Sequence, residues 1–373
     1  MTTHPLEFIG ILGTQGGSET NRPAAGPGVI DTSYLGAIAR GHETAGFDRA
    51  LIGYFSSAPD GFQVAAYAFQ QTERLGLLLA HRPGFVAPTV AARQLATLDQ
   101  FSNGRLAVHI ITGGNDDEQA RDGDFLTKDE RYERTDEYLD VVKKTWTSPE
   151  PFDHEGKYYR VKGAYSAVRT RQKPHIPVYF GGSSEAAIRV AGKHADVYAL
   201  WGESLAQVKE TIDAVRASAA LHGRQDRIRF SLSLRPVLGR TEEEAWGRAD
   251  RLLEAAKAVQ AKGPPPFGGL HRADGKPQAV GSQRLLATAA QGKVVDKRLW
   301  TELAAVTGAG GNSTGLVGTA EQVAESLIDY WRLGVSTILI RGFDPLPDAL
   351  EYGRDLIPLV REEVRRQQAA LAA

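Results

Sequence analysis

The sequence predicts a (β/α)8 barrel, and three observations carry that expectation. Short apolar runs alternate with longer amphipathic stretches along the chain. There are eight such runs. Several are apolar at successive positions rather than at alternate ones, as in a parallel sheet covered on both faces. At 373 residues the chain is long enough for one large domain or two ordinary ones. A doubly wound open sheet is the rival architecture, but eight regular repeats favour closure into one barrel spanning residues 1–373.

The strand candidates, in order, are "FIGIL" (8–12), "RALIGY" (49–54), "LGLLLAH" (75–81) and "LAVHIIT" (106–112), followed by "IPVYFG" (176–181), "ADVYALW" (195–201), "IRFSLSLRPVL" (228–238) and "STILIRG" (336–342). Helical patterns lie between them. "TSYLGAIARGHETAG" ends at Gly46, a C-cap candidate. "DGFQVAAYAFQQTERLG" and "APTVAARQLATLDQFSNG" keep the strand–helix–strand rhythm. "KDERYERTDEYLDVVKKTW" is acidic early and basic late, which suits the helix dipole. "SSEAAIRVAGKHA" opens on serine, a good N-cap, with Glu185 in its first turn.

Two segments break the rhythm. Residues 148–175 read as a strand-rich excursion before the fifth strand. Residues 262–318, with "KGPPPFGG" and "GAGGNSTGLVG" near their ends, form a long insertion between the seventh and eighth strands. An insertion on that side of a barrel is usually an active-site lid or a disordered segment. Within it, "SQRLLATAAQG" and "KRLWTELAAV" have helical patterns.

Composition narrows the function. Hydrophobic residues make up 42% and charged residues 24%, ordinary for a soluble protein. A formal net charge of −1 provides no field to attract nucleic acid or an anionic membrane. The absence of cysteine excludes disulfides, thiolate catalysis and Cys-ligated metal centres. "MTTHPLEFIGILG" lacks the basic and long apolar regions of a signal peptide, and no stretch reaches 18 consecutive apolar residues. The expectation is a cytoplasmic protein with a small-molecule substrate and no nucleic-acid or membrane partner.

In a barrel of this kind the site sits at the C-terminal ends of the strands. Those ends carry Gly13-Thr14-Gln15, Phe55 to Ala58, His81-Arg82, His109 and Thr112, Gly181 to Ser184, Trp201-Gly202-Glu203, Ser233 and Arg235, and Arg341 to Asp344. The set has no His/Asp/Glu cluster with metal-ligand spacing, no Ser-His-Asp triad and no carboxylate pair. Small residues, hydroxyls, imidazoles and aromatics suit a large planar cofactor bearing a phosphate better than they suit hydrolysis. "YFGGSSEAA" reads either as a phosphate loop at a helix start or as a glycine-rich turn with a serine cap. His109 reads as a core histidine or as a pocket group three residues before Thr112. Arg82 reads either as a buried ion-pair partner or, with Arg341, as an anion-binding group; Tyr132 and Tyr138 read as core contacts, and Trp201 as packing. Arg235 has two readings: an anion-binding guanidinium, or an ion pair with a carboxylate such as Glu203 or Asp344.

Longer motifs go further. "RPGFVAPTVAARQLATLDQFSNGRLAVHIITGG", "DGDFLTKDERYERTDEYLDVVKKTW", "PVYFGGSSEAA", "YALWGES", "AAVTGAGGNSTGLVGTAEQVAE" and "YWRLGVSTILIRGFDPLPDALEYG" cover nearly the whole chain in order. Together they resemble the bacterial luciferase-like flavin monooxygenases, and more narrowly the reduced-FMN-dependent alkanesulfonate monooxygenase group. The resemblance implies a (β/α)8 barrel with an insertion after strand seven. It also implies a two-component system, in which an NAD(P)H-dependent flavin reductase supplies reduced FMN and this protein uses O2 to oxygenate its substrate. For a sulfonate the C–S bond breaks to give an aldehyde and sulfite. A homo-oligomer, dimer or tetramer, is implied as well.

Carried over position by position, the cofactor candidates are His109, Thr112, Tyr132, Gly182, Ser183, Ser184 and Ala58. The catalytic candidates are Arg235, Trp201, His81 and Phe343. His109 falls where the family often has asparagine, Thr112 beside the isoalloxazine ring, and Tyr132 near the phosphate. The substrate side departs from the sulfonate pattern. Ala58 replaces a cysteine, Ser233 and Arg235 replace arginine and histidine, Phe343 and Pro345 replace tyrosine and histidine, and Ala309 stands nearest a missing insertion arginine. A different sulfonate, a sulfone, a sulfonamide or a nitrogen compound fits these groups equally. An F420-dependent oxidoreductase and a catalytically degenerate flavin-binding barrel are the other readings.

Overall fold

The computed structural model describes residues 5–17, 29–261, 277–311 and 313–372. In chain order the first elements are β1 (Glu7–Leu12), α1 (Thr32–Thr44), β2 (Arg49–Ile52), α2 (Gly61–Gln70), β3 (Gly76–His81), α3 (Pro88–Phe101), β4 (Leu106–Ile110), α4 (Asp116–Arg121) and α5 (Lys128–Thr147). Next come β5 (Phe152–Glu155), β6 (Arg160–Ala164), β7 (Val178–Gly181), α6 (Glu185–His194), β8 (Val197–Trp201), α7 (Leu205–Ala220), β9 (Arg229–Leu238) and α8 (Glu242–Gln260). The described part of the insertion adds α9 (Val280–Ala289), β10 (Val294–Val295), β11 (Leu299–Trp300), α10 (Glu302–Thr307) and β12 (Gly315–Gly318). The chain ends with α11 (Ala320–Arg332), β13 (Val335–Ile340), α12 (Pro345–Glu351), a π-helical turn (Tyr352–Leu356) and α13 (Ile357–Ala372).

Hydrogen-bonded neighbours run β9, β13, β1, β2, β3, β4, β7, β8, and β8 pairs again with β9. Eight strands thus close into a parallel barrel with helices between them, an α/β TIM barrel. These are the eight runs read from the sequence. The 148–175 excursion contains the antiparallel hairpin β5–β6. "KGPPPFGG" lies outside the described residues. "KRLWTELAAV" is only half helical: Leu299 and Trp300 form strand β11, and α10 begins at Glu302. Trp300 is fully buried against Val237, Val317, Leu303 and Phe343, and that packing overrides the helical pattern.

By compactness the chain divides into two units, Leu51–Tyr198 with Val215–Ile228, and Met1–Ala50 with Ala199–Ala214 and Arg229–Ala373. In the first, β3, β4 and β7 are parallel, with Ala80, His109 and Tyr179 in one register row and His81, Ile110 and Phe180 in the next. α5 starts from a capping box between Thr127 and Glu130 and is tied to α3 by Trp146 Nε1 donating to the Ala92 carbonyl at 2.8 Å. The turn after α3 needs left-handed backbone at Asn103 (φ 57°) and Gly104 (φ 82°), as "SNG" supplies. Buried Asp99 accepts hydrogen bonds from Arg171 N (2.6 Å), Gln172 N (3.1 Å) and Gln172 Nε2 (2.7 Å), and so anchors the end of the 148–175 excursion.

In the second unit β1, β13 and β9 are parallel. Strand β9 changes partner along its length. Phe230 to Leu234 pair with β13, whereas Arg235 to Leu238 pair with β12 of the insertion. Gly315 opposite Arg235 is required there, because a Cβ would lie 2.7 Å from the Arg235 carbonyl oxygen. Behind this junction, α8 packs Ala245, Ala249, Leu252 and Leu253 into the same apolar cluster as Trp300 and Phe343. Among the described residues no helix is long and apolar enough to cross a membrane.

Candidate active site

The loop after β7 is built around Gly182. Its φ is +133°, and a Cβ there would lie 2.8 Å from the Ala187 Cβ and 3.1 Å from the Tyr132 hydroxyl, so only glycine fits. The Tyr198 hydroxyl donates to the Gly182 carbonyl. Ser184 caps α6, its Oγ accepting from Ala187 N at 3.3 Å. The Tyr132 side chain bonds Ser184; burial raises the Tyr132 pKa, and this bond opposes the rise. Gly181 to Ser184 stay partly open. The result is a tightly held, partly open turn with serine hydroxyls ahead of a helix start, an arrangement that favours a bound anion. The residues present therefore fit the phosphate of a flavin nucleotide.

Register separates the two histidines. In parallel strands, neighbours in one row point to one face. His81 shares its row with Ile110 and Phe180, and its Nε2 lies 2.6 Å from the Tyr138 hydroxyl of α5, with Phe62 of α2 edge-on at 5.7 Å. That is the helix-facing side. His109 shares the opposite face with Ala80 and Tyr179 and is partly open. Burial lowers the pKa of each to about 4, so both imidazoles are neutral at neutral pH. The Thr112 hydroxyl lies 3.4 Å from Thr135 Oγ1, which in turn donates to the Arg131 carbonyl at 2.7 Å. Buried Arg82 takes the ion-pair role, with Nη2 3.2 Å from Glu118 Oε1 and its guanidinium 4.5 Å from the Tyr54 ring centroid. Ala58 sits in the turn after β2, its N–H bonded to the Phe55 carbonyl at 2.9 Å.

In the other unit Arg235 and Phe343 come together. The Arg235 Cζ lies 3.6 Å from the Phe343 ring centroid, and Nη2 donates to the Gly342 carbonyl at 2.8 Å. Phe343 N in turn donates to Asp348 Oδ2 at 2.7 Å. Glu203, one of the two carboxylates considered as an Arg235 partner, is held by Arg284 through two contacts of 2.8 and 2.9 Å. Trp201 is partly open and packs on Leu285, Ala304 and Ala309 of the insertion. Sequence reasoning missed the Glu203–Arg284 pair and the placement of α9 on Trp201, since no spacing rule links residues 81 positions apart. Asp136, Asp140 and His194 offer the one metal-like cluster among the described residues, but the Lys193 ammonium already contacts both carboxylates at 2.8 and 2.7 Å.

The fold is an α/β TIM barrel, and its described strand ends carry small residues, hydroxyls, imidazoles and aromatics. The luciferase-like monooxygenase family model matches residues 7–337, and the chain belongs to that family. Solved structures with the same fold include a riboflavin lyase with modified FMN and riboflavin bound (22% identity, 96% of this chain and 92% of that one, TM-score 0.76). An EDTA monooxygenase from Chelativorans sp. BNC1 matches at 21% identity over 96% and 94% of the two chains, with a TM-score of 0.76. An F420-dependent secondary alcohol dehydrogenase matches at 15% identity over 95% and 99%, with a TM-score of 0.67. At these identities the likeness is one of fold.

Proposed function

We propose that this chain is the oxygenating component of a two-component system. It takes reduced FMN from an NAD(P)H-dependent flavin reductase and uses O2 to oxygenate an organosulfur substrate, with C–S cleavage that releases sulfite. The observation that carries this reading is the Gly182–Ser184 turn, locked by Tyr132 and Tyr198 at the start of α6. We also propose a homo-oligomer, dimer or tetramer, located in the cytoplasm.

Ser183, Ser184 and the turn's backbone N–H groups hold the phosphate. His109 and Thr112 border the flavin ring, and the neutral His109 accepts or donates one hydrogen bond there without adding charge. Bound reduced flavin supplies the two electrons that activate O2. One oxygen atom enters the substrate and the other leaves as water. Trp201 shapes the substrate side, and Arg235 holds an anionic substrate group beside Phe343. Ala58, Ser233, Phe343 and Pro345 stand in place of the sulfonate group's polar side chains, so a different sulfonate, a sulfone or a sulfonamide fits these groups as well as a simple alkanesulfonate does.

The deciding experiment screens sulfonates, sulfones, sulfonamides and amines with reduced FMN and O2, following oxygen uptake, sulfite and aldehyde. Sulfite release from an organosulfur compound is the expected result. Hydride transfer with reduced F420 in the absence of O2 is the outcome of the second reading, which the F420-dependent structural neighbour favours. Flavin binding with no oxygen uptake on any substrate is the outcome of a degenerate barrel.

A further inference from the structure

The turn Trp201-Gly202-Glu203 is gripped from several sides within one compact unit. Thr314 Oγ1 donates to the Gly202 carbonyl at 2.6 Å, and the Tyr330 hydroxyl donates to the Glu203 carbonyl at 2.8 Å. A Cβ on Gly202 would lie 2.4 Å from Leu234 Cδ2 and 2.7 Å from the Ser233 carbonyl oxygen, so the turn passes tightly against β9. The side chains of this turn are held by the insertion. Glu203, only 4% exposed, receives Arg284 Nε on Oε1 at 2.8 Å and Nη2 on Oε2 at 2.9 Å, and the same Nη2 reaches Glu210 at 3.2 Å. One turn further along α9, Thr288 Oγ1 donates to Gln207 Oε1 at 2.9 Å.

The consequence falls on Trp201. Gly281, three residues before Arg284 and therefore on the same face of α9, lies against the indole. A Cβ at Gly281 would stand 3.1 Å from Trp201 Cε3 and 3.2 Å from Cζ3. Ser282 Oγ donates to the Ala309 carbonyl at 2.8 Å and ties the other edge of α9 to the segment that packs on the same ring. A fork-to-fork contact fixes orientation as well as distance. We propose that Glu203 and Arg284 are positioning residues: the contact of half-buried Arg284 with buried Glu203 seats α9 so that the Gly281 backbone presses on the Trp201 indole and fixes the ring's orientation. The functional weight of that orientation rests on the reading of Trp201 as a wall of the substrate site.

The test uses the full chain without cofactor. Acrylamide quenching is measured with and without Trp201→Phe, so that the difference isolates Trp201 from the other tryptophans. Arg284→Met is expected to raise the quenching constant of that difference roughly twofold, because local opening exposes the ring. Arg284→Lys, which keeps the charge and loses the fork, is expected to fall between. Gly281→Ala leaves the ion pair in place and is expected to shift Trp201 emission by steric pressure, so it serves if Arg284→Met does not fold. Native circular dichroism with wild-type quenching in Arg284→Met, or wild-type emission in Gly281→Ala, overturns the proposal. With turnover in hand, Arg284→Met is expected to raise the substrate KM in the wild-type background and not in Trp201→Phe; equal effects in both backgrounds overturn it. Absence of turnover in every variant and in the wild type, with the quenching change present, counts against the monooxygenase reading and leaves the clamp intact.

Discussion

The Arg235 guanidinium lies over the Phe343 ring, 3.6 Å from its centroid, and donates to the carbonyl of the residue preceding Phe343, Gly342. Both side chains are almost fully buried, at 3% and 2% exposure. The pair sits where β9 leaves β13 and takes β12 as its partner. One residue thus joins the barrel, the insertion and the loop after β13. A guanidinium stays protonated at working pH and cannot shuttle protons. It can hold an anion, and it can hold the junction together.

Arg235→Met and Arg235→Lys separate those roles. Losing a desolvated cation–π contact and a carbonyl bond is expected to cost about 2 kcal/mol of stability in Arg235→Met. The methionine variant is expected to raise the substrate KM steeply and the lysine variant moderately, with reduced-FMN affinity unchanged. Wild-type kinetics in both variants, with only the unfolding free energy reduced, assigns the residue to structure alone.

The anion turn gives a second expectation. On the proposed reading, Ser183→Ala and Ser184→Ala together remove two hydroxyl contacts to a charged phosphate, each worth roughly 1.5–3 kcal/mol. Reduced-FMN affinity is expected to fall by about a hundredfold or more in the double variant, measured by anaerobic titration. Ser184→Ala also removes the cap of α6, which costs about 1 kcal/mol of stability. Unchanged FMN affinity in the double variant places the phosphate elsewhere.

Much of this was legible in the sequence because parallel barrel strands are apolar on both faces and separated by helices with readable caps. The loop "FGGSSEAA" was legible because Gly182 must adopt a φ that other residues resist. Three things were not legible. His81 and His109 stand at similar places on successive strands, yet a one-position difference in register turns them to opposite faces. Leu299 and Trp300 follow a helical pattern but are drawn into a strand by burial against α8 and β12. Glu203 stands beside Trp201, and nothing local tells that its partner is Arg284 rather than Arg235.

Asp99 provides a test of the scaffold. It is fully buried and accepts three hydrogen bonds from residues 171 and 172. Asp99→Asn keeps the shape but can turn only one oxygen to those donors, leaving an N–H facing an N–H. A buried donor without an acceptor costs roughly 1–3 kcal/mol, so a loss of about 3 kcal/mol is expected in urea unfolding. Proteolytic nicking between residues 166 and 175 is expected to appear at protease levels the wild type resists. Wild-type stability with no new nicking removes Asp99 as the anchor of this segment.

Acid sensitivity follows from the buried histidines. Burial lowers the pKa of His42, His81 and His109 from 6.5 to about 4, and it lowers those of His175 and His194 as well. An imidazole in the unfolded chain takes up its proton near 6.5, whereas the folded protein resists protonation down to about 4. Between those values the unfolded state binds more protons, so stability falls as pH drops from about 6.5 toward 4. Asp48 opposes this slightly, since burial raises its pKa and the folded state takes up that proton more readily. Asp136 acts lower: burial raises its pKa, but the bonds from His194 and Lys193 outweigh that and hold it at about 2, so its contribution is lost as pH falls from 3.8 through 2. His109→Asn isolates one term, because it keeps a polar group at the same place on β4 and removes the titration. Its unfolding free energy is expected to match the wild type at pH 8 and to fall less steeply between pH 6.5 and 4, by up to about 1.4 kcal/mol per pH unit, the value of one proton. Parallel pH profiles for the two proteins mean that His109 titrates alike in the folded and unfolded chains, and with that goes the burial-lowered imidazole on β4.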